Sequence, residues 1–394
     1  MLYKGLFFIF LAVNIFGDSL DELLIQLEKN SSLIQAQKSI VSAKQKDISI
    51  QTNYKNPKLS FGVNDIMLSK DKYNKFDLEP MQTQYIAISQ EIEDGDKIDS
   101  KKSIALYALQ KENFVLEDLY YDLLKQLRQI NIQIIKSKEI LSLLDKKILN
   151  LNTLKKYFIN TTSSMTNISL LSKADEKIYK AKEQKYNLLT KIDNLQNRFS
   201  YILGEQYNIF NDDLNNLNDQ EEFELTPKYK AYEMDKNIAK EQVTYAKLEE
   251  SPNFTFNFSY NRRESFDNYV NVGIAIPLPI YGTEEEKVIK TNELFRKSTF
   301  AEDDFLRKVK MKYENYKSKT LFLKNSLNDI TLVIESLDSE LSYSNNNFND
   351  VSNTPQIIEN RNKKIDFEIR KVQLLEQIDL SRLEIDYITR KSKL

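Results

Sequence analysis

Acid–base or nucleophilic chemistry in this chain would have to come from carboxylates, lysines, tyrosines and hydroxyls, because its 394 residues include no His and no Cys. Without imidazole or thiolate there is no ligand set for a zinc site, a haem or an iron–sulfur cluster, and no thiol nucleophile or imidazole base. Paired carboxylates remain as a general acid–base option, and many Asp/Glu pairs fall on the helical stretches. With 29% of residues charged, such pairs are what solvated helix faces produce. The 7 Gly form neither GxGxxG nor GxxxxGKS/T, so no loop is built to cradle a phosphate. The 56 Lys+Arg and 58 Asp+Glu nearly cancel, which denies a nucleic acid its main electrostatic attraction. The expectation is a protein that is not an enzyme and has no cofactor, no resident metal and no nucleic-acid partner.

What the sequence does position is apolar side chains. Residues 1–17 carry Lys4, an apolar run from Leu6 to Val13 and Gly17, the pattern of a secretory signal peptide. Helical periodicity predicts a helix from Asp18 to Gln51, capped by Asp18 or Ser19, with Leu20, Leu23, Leu24 and Leu27 on one face. A β-hairpin is expected over 57–92, where Leu59, Phe61, Val63, Ile86 and Ile88 alternate with small or polar residues. A helix from Asp96 to about Asn160 follows; some 64 residues make a rod of roughly 95 Å. A return helix runs from about Ile168 to Leu203 and stops at Gly204.

The same order then recurs. A helix over about 228–250 ends at Ser251-Pro252, and a second hairpin over 252–280 alternates Phe254, Phe256, Phe258 and Tyr260, then Val270, Val272 and Ile274. Helices over about 283–346 and from Thr354 to the C-terminus complete it. Pro57 and Pro252 lie 195 residues apart, and Ile88 and Ile274 lie 186 apart, the difference falling in the hairpin loop. The organisation read from this is a signal peptide (1–17), a first repeat (18–204), an acidic connector (205–226) with no Lys or Arg, read as solvated, and a second repeat (227–394).

In the first long helix, positions 116, 120, 123, 127, 130, 134, 137, 141, 144, 148 and 151 are apolar except Ser137, a 3.5-residue period that belongs to a coiled coil. A partial second stripe, Leu119, Leu124, Ile135, Ile140 and Leu149, suggests neighbours on another face. A ring of helical hairpins and an ordinary coiled-coil rod both satisfy the first stripe. Two hairpins with strands of nine or ten residues cannot bury an alternating apolar face within one chain. Transmembrane strands of about 9–11 residues, apolar outward and closed into a barrel by oligomerisation, can. The alternative is a soluble β-layer packed on helices.

Several segments carry a family likeness. ISQEIEDGDKIDSK (88–101) and VGIAIPLPIYG (272–282) are similar to the strand-to-helix corners of the TolC family of outer-membrane efflux proteins. Tyr201-Ile202-Leu203-Gly204 is similar to that family's first return-helix ending. The resemblance covers essentially the whole chain after the signal peptide. It implies a mainly α fold with a small β part: two internal repeats, long antiparallel coiled-coil helices and four transmembrane strands per chain. Three chains would then form a 12-stranded β-barrel continued by an α-helical barrel. It further implies a homotrimer in the outer membrane, embedded in lipid, with helices reaching into the periplasm. Such channels conduct substrates from an inner-membrane transporter through a periplasmic adaptor protein, in tripartite efflux or type I secretion. The helical tips, 157–171 and 343–358, lack the Arg and Gly of the family's usual tip sequence. Glu359 is the nearest match to the acidic residues that line the family's closed periplasmic entrance. A soluble periplasmic coiled-coil adaptor or scaffold is the alternative function, using the same helices but leaving the strands without a purpose.

Overall fold

The computed structural model describes residues 19–66, 82–161, 165–204, 220–263, 266–346 and 354–394, with positions 206, 210, 214 and 217. The expected signal peptide and the middle of the expected hairpin, residues 67–81, lie outside the described residues. The elements are α1 (Ser19–Asn30), α2 (Ser32–Thr52), β1 (Lys58–Asn64), β2 (Thr83–Ile92), α3 (Gly95–Asn160) and α4 (Met165–Leu203). After a 3₁₀ turn (Phe223–Leu225) come α5 (Pro227–Leu248), β3 (Phe254–Arg263), β4 (Tyr269–Ala275), α6 (Thr283–Asn346) and α7 (Thr354–Thr389). The order α-β-β-α-α thus occurs twice.

The chain forms two compact units. One comprises residues up to 36 with 116–226 and 307–393; the other comprises 37–115 and 227–306. The long helices α3 and α6 begin in the second unit and continue in the first.

The first unit is helical, and its core follows the 3.5-residue stripe. Leu123, Leu127, Ile130 and Ile134 of α3 pack with Leu23 and Leu27 of α1 and with Ile192, Leu195 and Phe199 of α4. None of the eleven stripe positions is exposed, and Ser137, its polar member, is fully buried. Further along, Leu154 and Phe158 meet Ala174 of α4 and Ile358 of α7. The second stripe is only partly used. Leu124 and Ile140 are buried, Leu119 and Ile135 half-buried, and Leu149 is 67% exposed. Gly204 ends α4 at φ +76°, its N–H donating to the Ser200 carbonyl at 2.8 Å, a left-handed stop that a side chain would strain.

Two expectations are corrected here. The helix foreseen over 18–51 is broken at Ser31, because Asn30-Ser31-Ser32 puts short polar side chains where they compete with helical hydrogen bonds. The Glu28 carbonyl at this break accepts from the side-chain amide of Gln35 at 2.8 Å, so the kink leaves no orphan there. The connector 205–226, read as solvated, sends Phe210 (4% exposed) into the core against Phe199. Its Phe223 is also 4% exposed and meets Tyr313 edge-on, and Glu221 and Glu222 pair with Lys317 and Lys391. Two of its acids pair with lysines, and its two phenylalanines pin it.

The second unit carries the sheet, antiparallel in the order β1-β2-β3-β4. β2 and β3 have 10 residues as expected, but β1 and β4 have 7. Each of these outer strands pairs on one side only among the described residues, and its inner partner extends beyond it. Among the described residues no helix is long and apolar enough to cross a membrane.

Candidate membrane-facing sheet and its polar lining

Strand alternation places residues of one parity on each face, and the registers decide how those rows line up. Leu59 faces Ile88, Ile88 faces Phe258, and Phe258 faces Val272; next to them runs the row Phe61, Ile86, Tyr260 and Val270. Phe256 and Ile274 pair beside Gln90, Phe254 pairs with Ile92, and Val63 pairs with Gln84. Every strand position named from the sequence therefore lies on one face. Ten of these residues, Leu59, Phe61, Ile86, Ile88, Phe254, Phe256, Phe258, Val270, Val272 and Ile274, are exposed, from 37% at Phe254 to 80% at Phe61. Val63 is half-buried. In water, each such side chain forgoes about 1.5–3 kcal/mol relative to burial.

The opposite face is polar and small. Along β1 to β4 it carries Ser60, Gly62 and Asn64; Thr83, Tyr85, Ala87 and Ser89; Thr255, Asn257, Ser259 and Asn261; and Tyr269, Asn271 and Gly273. An open hollow of about 390 Å³ lies against the sheet, its lining including Asn64, Tyr85, Asn257, Asn261 and Asn271. Tyr85 lies across its partner Gly62, where a Cβ would come within 2.8 Å of the phenol oxygen. A side chain at position 62 would have to displace the Tyr85 ring.

Where the strands give way to helices, a polar network replaces apolar packing. Lys97, 3% exposed, donates to the Ser251 carbonyl and to Asn253 Oδ1. Asn253 Nδ2 in turn donates to Glu91 at 3.0 Å, and Glu91 pairs with Lys55 at 2.8 Å. Glu93 holds Lys101 at 2.6 Å, and Ser100 donates to Glu241 at 2.9 Å. Burial works against the Lys101 ammonium, but the Glu93 hydrogen bond and nearby Tyr245 outweigh it and hold its pKa above the ordinary value. Tyr245, under the Lys101 ammonium at 5.5 Å, is raised chiefly by burial.

The helical unit holds a second polar cluster that the sequence reading did not name. Arg128 and Asp386, 4% exposed each, lie 3.7 Å apart, and Arg390 joins Asp386 at 2.7 Å. Tyr387 donates to Asp118 at 2.9 Å beneath the Lys125 ammonium, and Tyr121 donates to Glu117 at 3.0 Å. Burial first, then the adjacent carboxylates, push both phenols far above their usual range. The signal existed: Asp118, Tyr121, Lys125 and Arg128 recur at alternating spacings of three and four, a polar stripe beside the apolar one.

Glu359, the residue singled out for an entrance, lies on α7 and pairs with Lys177 of α4 at 3.1 Å, both side chains about half exposed. Among the described residues no three acidic side chains converge as a metal would need.

No protein-family model matches the chain, and no curated protein matches its sequence. Its fold is matched by solved structures at low identity. CusC, described for conformational changes accompanying folding and transmembrane channel formation, superposes with a TM-score of 0.77 at 11% identity, over 97% of this chain and 96% of that one. The open state of the Neisseria gonorrhoeae MtrE outer membrane channel gives 0.76 at 13% identity, over 94% and 88%. The Campylobacter jejuni CmeC outer membrane channel gives 0.74 at 10% identity, over 96% and 88%. The mainly helical fold with a small sheet, expected from the TolC-family likeness, is the fold observed.

Proposed function

We propose that three copies of this chain close a passive export channel of the TolC family in the outer membrane. Each would supply four strands of a twelve-stranded barrel, with long helices continuing into the periplasm. The observation that carries this reading is the two-faced sheet, with its exposed apolar rows on one face and polar and small residues on the other. A transmembrane barrel needs that polarity, and a soluble β-layer needs the reverse. The open edges support it too. β1 and β4 run in opposite directions, so β4 of one copy meets β1 of the next antiparallel, and closing the ring removes every unpaired edge. At 66 residues, α3 measures about 99 Å, a length suited to crossing an aqueous compartment.

The channel catalyses no reaction. It receives cargo from an inner-membrane transporter through a periplasmic adaptor. Glu359 belongs to the periplasmic entrance, where Lys177 offsets its charge. The natural absence of Cys offers a direct test: single cysteines introduced at Val272 and at Asn271 in membrane-embedded protein, probed with a charged thiol reagent. Labelling at 271 and protection at 272, with a trimeric mass in detergent, is the expected result. Equal labelling, or recovery of the protein from the soluble periplasm, overturns the channel and leaves the scaffold reading.

A further inference from the structure

β3 ends in two adjacent arginines, and the pleat sends them to opposite faces. Arg262 pairs with Gln84 and closes the apolar face; Arg263 pairs with Thr83 and closes the polar one. The Arg263 guanidinium sits 4.5 Å from the centroid of the Tyr269 ring, and Asn261, on the same face, is 3% exposed. The Arg263 backbone N–H donates to Asn268 Oδ1 at 3.0 Å, which anchors the strand end. Among the described residues the buried Arg263 Nε has no hydrogen-bond partner, and no carboxylate forms an ion pair with this side chain.

Only two other positions on the polar face of the strands are charged, Lys58 and Glu91, and both lie at the opposite end. Glu91 is neutralised by Lys55 at 2.8 Å. Between the two ends the face carries hydroxyls, amides, tyrosines and small residues. Resting on the channel reading, we propose that Arg263 in three copies forms a cationic ring at the loop end of the barrel and biases it toward anions. Rings of Arg or Lys favour anions in pores by this means. Screening sets the condition. At about 0.15 M salt a charge is felt over roughly 8 Å, and at about 0.01 M over roughly 30 Å, so a ring on a wide wall acts mainly at low salt.

The test is reversal potential in planar bilayers holding the full-length protein under a KCl gradient. Near 0.01 M, Arg263→Gln should move the potential toward cation preference, and Arg263→Lys should hold the wild-type value. The difference should vanish near 1 M. Arg262→Gln, one residue away on the lipid face, should move the potential less than Arg263→Gln does. If Arg263→Gln fails to assemble, Arg263→Met keeps an apolar stem over Tyr269 and should give the same displacement. A conducting protein whose potential is identical with and without the Arg263 charge at low salt, or moves equally with Arg262→Gln, overturns the assignment and leaves the channel standing. A wild-type protein that never conducts removes the channel, and the ring with it.

Discussion

The two units of this molecule solve opposite solvent problems with the same residue types. In the helical unit Leu127, Ile130 and Ile134 are at most 1% exposed and the charges sit outside or in pairs; in the sheet Phe61 is 80% and Val272 75% exposed while Asn261 is 3% exposed. Coiled-coil packing needs one apolar seam per helix facing its neighbours, which water then reinforces. A sheet whose apolar rows face outward is reinforced only by a solvent that is itself apolar. The contrast is what the proposed channel requires of each unit, and it can be broken at definite points.

The largest expected effect lies where the helical unit does admit charge. Asp386→Ala leaves Arg128 buried without its carboxylate, and breaking such a pair costs about 3–5 kcal/mol. Thermal unfolding of the detergent-solubilised protein reads this loss; a variant within about 0.5 kcal/mol of wild type would mean that the cluster is hydrated rather than buried. Next is the apolar seam itself. Leu127→Ala should destabilise by about 2–5 kcal/mol, whereas Val272→Ala, on the exposed face, should change unfolding in detergent by less than about 1 kcal/mol. Equal costs would erase the distinction between the units.

The sheet reverses the rule for charge. Phe258→Arg on the outer face should cost about 2–4 kcal/mol per copy in the membrane and reduce assembled trimer, while Ser259→Arg, its neighbour on the polar face, should assemble normally. The reverse ranking would exchange the two faces. A smaller effect is expected with alkali at the strand-to-helix corner. Lys101 and Tyr245 both have folded pKa values above their ordinary 10.5 and 10.0, so the folded state retains protons that the unfolded chain releases. Their contribution is complete below about pH 10 and is lost as pH rises beyond it. Tyr245→Phe should make the alkaline fall in melting temperature shallower; an unchanged slope would exclude Tyr245 as a source. Smallest of all, Lys177→Gln removes a half-exposed ion pair with Glu359 and should shift stability by no more than about 1 kcal/mol. A larger loss would place that pair in a dry contact.

Legibility in the sequence followed the range of the cause. Gly204, the α6 start at Thr283 and the coiled-coil stripe of α3 were readable because capping and heptad burial depend on residues within a few turns. The break at Ser31 was missed because three good helix-compatible turns flank a single Asn-Ser-Ser step, and only the Gln35 side chain reveals how it is tolerated. Phe210 and Phe223 were hidden in an acidic stretch whose average composition says solvent. The Arg128–Asp386 cluster joins residues more than 250 positions apart, and no local pattern states that the two stripes meet.

By itself, the sequence determined the element types, their repetition, the alternation of each strand and the absence of His and Cys chemistry, since all of these follow from residue identity and short-range spacing. The tertiary structure alone decided which rows share a face, how the two hairpins join through β2 and β3, and that Arg262 and Arg263 part company across the pleat. Register is the physical reason: a shift of one residue in any pairing would send that strand's whole set of side chains to the other side, and only the assembled ladder fixes it.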